Sequence, residues 1–342
     1  MRRGARTIRT LGILRPAARK ASGRTGKGGA GVVLLAILGA AGCGLGPGPG
    51  TGDVTVTVTH AFGSAKVATI TQSKVPGSET VMRLLTRSFS VQTRYGGGFV
   101  ESIDGAAGTS SHLDWFYYVN GIQGSAGAAA TTVHRGDRIW WDRHDWSATN
   151  SIPAVVGSFP EPFVHGIGGK RFPTTVECAH DLEAACARVS AELGSAGVPA
   201  ASQLLGTGSG TDTLGVVVGT WGELHSGIAA HLIEHGPSAS GIYARFSGPR
   251  GEALELLGPD GQTVRTLHAG AGLIAATADS TSEPTWLVTG TDAAGVLAAA
   301  RALTPARLHD AFALAVQGNT DLPLPLQGAT PPSGAKAPPR AT

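Results

Sequence analysis

Two motifs have the residue types and spacing to do chemistry. His231-Leu-Ile-Glu234-His235 reads as H-x-x-E-H. On a helix this would put two imidazoles one turn apart for a Zn²⁺, with a Glu as base. His225 lies close enough in sequence to join them. The context works against that chemistry, because Gly236-Pro237 ends the helix at once and no acidic helix follows to supply a third ligand. Solvated helix histidines are the simpler expectation. Gly270-Ala-Gly272-Leu-Ile-Ala275 reads as a degenerate G-x-G-x-x-A. It leads into a strand and opens no helix, so its phosphate-cradling logic fails. No G-x-S-x-G and no Walker A is present. The sequence therefore assigns no catalytic residue, no metal and no cofactor, and the expectation is a non-enzymatic protein.

The three cysteines divide by position. Residues 1–27 carry nine Lys/Arg and no acid, and residues 28–42 are a Gly/Ala/Leu-rich apolar run. That run is short of the ~20 residues a membrane span needs and fits the apolar region of a signal peptide. It ends Ala40-Ala41-Gly42-Cys43, which resembles a bacterial lipobox with Ala40 where Leu is usual. The resemblance implies that Cys43 is lipidated and becomes the new N-terminus. Cys178 and Cys186 then remain, an even pair in an oxidising compartment. A disulfide from strand end to helix is the expectation, with two buried thiols as the alternative. A zinc site is not expected, since only His180 stands near either Cys.

The elements that must position these residues follow from patterning. DVTVTVT (53–59) and KVATIT (66–71) alternate as strands of a hairpin. Ser78 should cap a helix carrying Val81, Met82, Leu84 and Leu85. Residues 91–94, 99–103, 115–119 and 138–142 read as strands, and Asn120-Gly121 is a tight-turn signal. One early helix against a curved sheet predicts a β-grasp-like domain over 54–146. A Pro/Gly-rich linker or packed strap follows over 147–174. Residues 175–317 read as an α/β domain of unrecognised fold. Its predicted helices are 181–193, 221–234 and one running to Leu303. Its predicted strands are 214–218, a meander between 242 and 277, 285–289 and 312–316. Residues 43–53 should be a flexible tether, and the Pro/Ala/Gly-rich 318–342 a disordered tail. The fold class is α+β.

Trp115, Tyr117, Trp140, Trp141 and Trp146 cluster in two adjacent strands. Core packing is one reading; a ring platform for a planar ligand, a glycan or the second domain is the other. Here the residues carry a resemblance. The run ETVMRLL, then YGGGFVESIDG, DWFYYVNG and V-x-x-GD-R-I-W-W, is similar to the small C-terminal β-domain of the transcobalamin and intrinsic-factor family. The similarity covers about residues 53–146. In those carriers the domain closes over cobalamin held against a large α/α barrel, for which this chain has no room. The resemblance implies that Trp115, Phe116, Tyr117 and Asn120 face a ligand, with Trp140 and Trp141 beside them.

The chain has 342 residues, with 27 Lys+Arg against 24 Asp+Glu, a formal charge of +3. Without residues 1–42 it holds 18 basic and 24 acidic residues, a net of −6. That sign gives no electrostatic reason to bind nucleic acid. The expected role is an exported, lipid-anchored protein on the extracytoplasmic face of the cell membrane, or else a secreted one. It would capture a corrinoid, another tetrapyrrole or some other small planar ligand and pass it to an envelope transporter. An envelope interaction module that binds glycan or protein is the alternative, and a metal hydrolase using His231 and His235 the remote one.

Overall fold

A computed structural model describes residues 53–109, 112–279 and 283–327. The expected signal peptide, the expected tether before Asp53, Cys43 and the expected tail beyond Gln327 lie outside the described residues.

The alternating valines of β1 (Val54–His60) turn Val54, Val56 and Val58 inward, and β2 (Ala65–Gln72) returns beside it as an antiparallel edge. Thr80 caps α1 (Val81–Thr86), its hydroxyl accepting from the Arg83 amide at 3.3 Å. Ser78, two residues earlier, does not serve as the cap. Helix α1 buries Val81, Met82, Leu84 and Leu85. A three-stranded ribbon follows: β3 (Val91–Arg94), β4 (Phe99–Ile103) and β5 (Ala106–Ala107). β6 (Leu113–Val119) turns through Asn120-Gly121 into the short β7 (Ile122–Gln123), and β8 (Arg138–Asp145) closes the half. The main sheet has the order β2-β1-β8-β6-β7, with β1 and β8 parallel at its centre. First and last strands side by side with one helix against the sheet is the β-grasp-like arrangement the pattern predicts.

The second half is a seven-stranded mixed sheet ordered β10-β9-β11-β16-β15-β17-β18. β9 (Thr174–Cys178) and β10 (Ala200–Leu204) flank α2 (Glu183–Ser195) in the chain and pair in parallel. β11 (Leu214–Thr220) lies on the other side of β9. The helix predicted over 221–234 is broken into α3 (Trp221–Leu224) and α4 (Ile228–Glu234), with α5 (Pro237–Ser240) after it. Gly227, extended at φ −78° and ψ 153°, is where it breaks. β12 (Ala244–Ser247), β13 (Ala253–Leu257) and β14 (Thr263–Leu267) form a separate antiparallel sheet. The predicted fourth strand of that meander, β15 (Ala271–Thr277), joins the large sheet instead, beside β16 (Thr285–Gly290). α6 (Ala293–Ala302) and α7 (Pro305–Leu308) lead to β17 (Ala313–Gln317). β18 (Thr320–Leu324) then pairs with β17, so the first part of the expected tail is strand.

The segment 147–174 is a packed strap. Ile152, Val155, Val156, Phe159 and Phe163 on it are buried. One core cluster holds Phe62, Tyr118 and Trp140 together with Tyr243, Leu273 and Phe312, so the two halves share apolar packing. No helix among the described residues is long and apolar enough to cross a membrane.

Candidate functional site

Both faces of the aromatic strands are covered, which corrects the expected ring platform. Alternation along β6 and β8 sends Trp115, Tyr117 and Trp141 into the core beneath α1. It sends Tyr118 and Trp140 the other way, into the core shared with the second half. Trp115 Nε1 donates to the Ala106 carbonyl at 2.8 Å, the Tyr117 hydroxyl to the Ala126 carbonyl at 2.6 Å, and Trp140 Nε1 to Thr59 Oγ1 at 2.7 Å. Phe116, half-buried, stacks on His144 at 4.5 Å. Trp146 donates to Asp114 at 2.8 Å. Burial pushes the Tyr117 and Tyr118 hydroxyls up from their ordinary range. Of the five predicted ring contacts Trp115, Tyr117, Trp140 and Trp141 are buried, and Phe116 alone keeps partial exposure.

Asn120 is fully buried and left-handed at φ 53°. Its amide nitrogen donates to Asp137 at 2.9 Å and to the Gly166 carbonyl at 2.8 Å, and its oxygen accepts from the Arg138 amide at 2.9 Å. It is a buried clasp between the N-terminal half and the strap. Burial raises the Asp137 carboxyl, against hydrogen bonds from the His134 backbone and Asn120.

Cys178 and Cys186 are joined in a disulfide, Cα–Cα 6.0 Å, from the end of β9 into α2. In the HLIEH run the His231 and His235 rings meet edge to face at 4.4 Å, and His231 Nδ1 lies 3.8 Å from Glu234. His235 Nδ1 lies 2.8 Å from the His231 carbonyl, and His225 Nδ1 the same distance from the Gly222 carbonyl. Among the described residues no group of three or more His, Cys, Asp or Glu could hold a metal ion.

An open concave site lies elsewhere, on the face of the large sheet opposite α2 and α6. Glu177, Val217 and Leu287 stand in register across β9, β11 and β16 and turn their side chains to that face. Val216 and Val218, on the other face, are buried, while Val217 at the middle of a central strand keeps part of its side chain exposed. The reason is a gap. The α3–α4 hairpin covers the sheet from one side with Leu224, Ile228 and Leu232, and the loop 205–213 approaches from the other. In that loop Gly206, Gly208 and Gly210 are all left-handed, at φ 84°, 81° and 77°. Between them is a cavity of about 700 Å³, in the range of small-molecule sites. Ile228 stands on its lip, 71% exposed.

The lining combines aliphatic side chains with carboxylates and hydroxyls, and among the described residues it holds no aromatic ring, no Lys, no Arg and no His. Glu177 is 5% exposed and accepts from Ser209 Oγ at 2.7 Å. Glu223 caps α3, accepting from the Thr220 amide at 2.9 Å and its hydroxyl at 2.7 Å. Asp212 pairs with Lys170 at 2.6 Å. A second, smaller cleft near Thr220, Arg250 and Thr291 lies past the ends of β11 and β16, but Glu223 and Glu252 there already take the Thr220 and Arg250 amides. Sequence reasoning missed the cavity. Glu177, the 205–213 glycines and Val217 come from separate segments and carry no motif.

No curated protein matches the chain. Among solved structures, a "putative metal binding protein" from Ruminococcus gnavus ATCC 29149 is similar over 28% of this chain and 97% of its own, with 18% identity and a TM-score of 0.23. A likeness of that size says nothing about a metal in this chain. These findings do not confirm the resemblance to the vitamin carriers. What the N-terminal half does match, over residues 78–145, is the family model "Domain of unknown function (DUF4430)".

Proposed function

We propose that the chain is an exported, non-enzymatic binding protein that holds a small ligand in the cavity between α4 and the 205–213 loop. The observation that carries this reading is Val217, a central-strand residue left partly exposed at the floor of a pocket walled by Val217, Leu224, Ile228, Leu232 and Leu287. Central strands are normally sealed on both faces, and apolar surface left open on one marks a binding site more often than a packing fault. The N-terminal half acts as a brace through the shared core. The aliphatic lining favours an aliphatic ligand over a planar macrocycle, which would find no ring to stack on. Export and anchoring rest on the basic run of residues 1–27, the apolar run 28–42 and Cys43.

Two measurements test the reading. A screen of small amphiphiles against the full-length chain should find at least one that saturates and that Val217→Trp abolishes with the fold intact by circular dichroism. Absence of any such ligand, or binding unchanged by Val217→Trp, overturns the cavity reading. Cys43→Ser should release the chain from the membrane fraction of an expressing cell; retention there refutes the lipid anchor.

One observation favours an envelope interaction role. Tyr95 at the β3–β4 tip is 86% exposed and left-handed at φ 54°, with the Phe99 ring 6.5 Å away. Loss of cell-wall or partner retention in Tyr95→Ser, with cavity binding absent, would support that role.

A further inference from the structure

The cavity's charge is one-sided. Among the described residues five acidic ones stand in its lining, Glu177, Asp212, Glu223, Asp279 and Glu283, and no basic one does. They are not equivalent. Asp212 and Glu223 already have the partners named above. Glu177 is the one set in the floor and buried, and among the described residues the hydrogen bond it receives comes from the neutral Ser209 hydroxyl. A carboxylate taken out of water without a cation is costly, and a cationic ligand would relieve that cost.

The neighbours of Glu177 define the rest of the ligand. Across the sheet the row runs Glu177, Val217, Leu287, from charge to hydrocarbon, over two strand spacings of about 4.8 Å each. Leu224, Ile228 and Leu232 continue the apolar wall. Among the described residues no aromatic ring lines the cavity to make the cage that quaternary ammonium groups prefer. No metal-ligating group of three exists among the described residues. Both facts point away from choline-like cations and metal ions, and toward an ammonium with N–H donors on an aliphatic body.

We infer that the cavity selects an aliphatic amine, its ammonium hydrogen-bonded to Glu177 and its chain laid along Val217 and Leu287. This rests on the cavity being a binding site, as proposed above, and adds the ligand class.

The test uses three ligands of one chain length, octylammonium, octanol and octanoate, titrated calorimetrically into the full-length chain. Charged hydrogen bonds exceed neutral ones enough that octylammonium should bind about tenfold or more tighter than octanol, with octanoate weakest. Glu177→Gln keeps the shape and a Ser209 acceptor, and should bring octylammonium and octanol close to equal affinity. The wild-type ranking needs no variant, so a misfolded Glu177→Gln does not rescue the proposal. Octanol or octanoate binding as tightly as octylammonium, with Val217→Trp still abolishing it, overturns the amine assignment and leaves the binding site standing. No binding by any of the three overturns the amine assignment, and the broader amphiphile screen then decides the site itself.

Discussion

Phe312→Ala is expected to cost about 3–5 kcal/mol, near the top of that range, and to uncouple the two halves of the molecule. The ring is 3% exposed and projects from the start of β17 into the N-terminal half. There it meets Phe62 at 5.3 Å, Tyr118 at 5.5 Å, Trp140 at 5.0 Å and His144 at 5.3 Å. Each such pair adds about 0.5–1.5 kcal/mol beyond burial. The vacated space cannot close easily, because its far wall is pinned. Asp142, fully buried, accepts from the Phe62 and Gly63 amides at 3.0 and 2.9 Å and lies 2.8 Å from His144 Nδ1. Gly63 also sits so close to the second half that a Cβ there would fall 1.8 Å from the Asp310 carbonyl oxygen. Urea unfolding followed by tryptophan fluorescence and far-ultraviolet circular dichroism reads both effects. Wild type should show coincident transitions, and Phe312→Ala two separated ones with reduced stability. Leu204→Ala, at an exposed strand end, should change stability by less than about 0.5 kcal/mol. A wild type that already unfolds in two steps, or a Phe312→Ala cost below about 1 kcal/mol, refutes the shared core.

Other substitutions probe the remaining contacts. Asn120→Ala strands the Arg138 amide and loses two donated bonds, so it should cost about 2–4 kcal/mol in denaturant titration while leaving ligand affinity unchanged. A large affinity loss with normal stability would return Asn120 to the binding site. Asp137 is an acid whose folded pKa is raised by burial. Its contribution to stability is therefore full below the unfolded value of about 3.9 and is lost as pH rises through the folded value. Stability of wild type minus that of Asp137→Asn should fall as pH is raised across that window, and a rise would contradict the sign. The Cys178–Cys186 bridge closes a short loop, sequence separation 8, so Cys186→Ser should lose roughly 2–3 kcal/mol by thermal or urea unfolding. No change on adding a reductant to wild type would show that the bridge does not stabilise the fold.

How much could be read in advance depended on how local the cause was. The valines of β1, the Asn120-Gly121 turn and the Cys-x7-Cys pair are local signals, and the first two set the N-terminal sheet. β10 was missed because Ala-Ala-Ser-Gln-Leu has little strand preference of its own and is held by pairing with β9. β18 was missed for a similar reason: Pro323 in it argued for a tail, yet an edge strand tolerates a proline. The aromatic strands showed their alternation but not that Phe312, some 170 residues away from Trp140, would close over one face. The cavity is non-local throughout, since a strand carboxylate, a glycine loop and a broken helix must meet before Val217 can be seen to lack cover.

The most direct test is methyl NMR of the full-length chain, labelled at Ile, Leu and Val, during octylammonium titration. Saturable shifts are expected at Val217, Leu224, Ile228, Leu232 and Leu287, with the methyls of β1 and β8 unmoved. Shifts confined to the N-terminal half, or none at the cavity residues at saturating ligand, would contradict it.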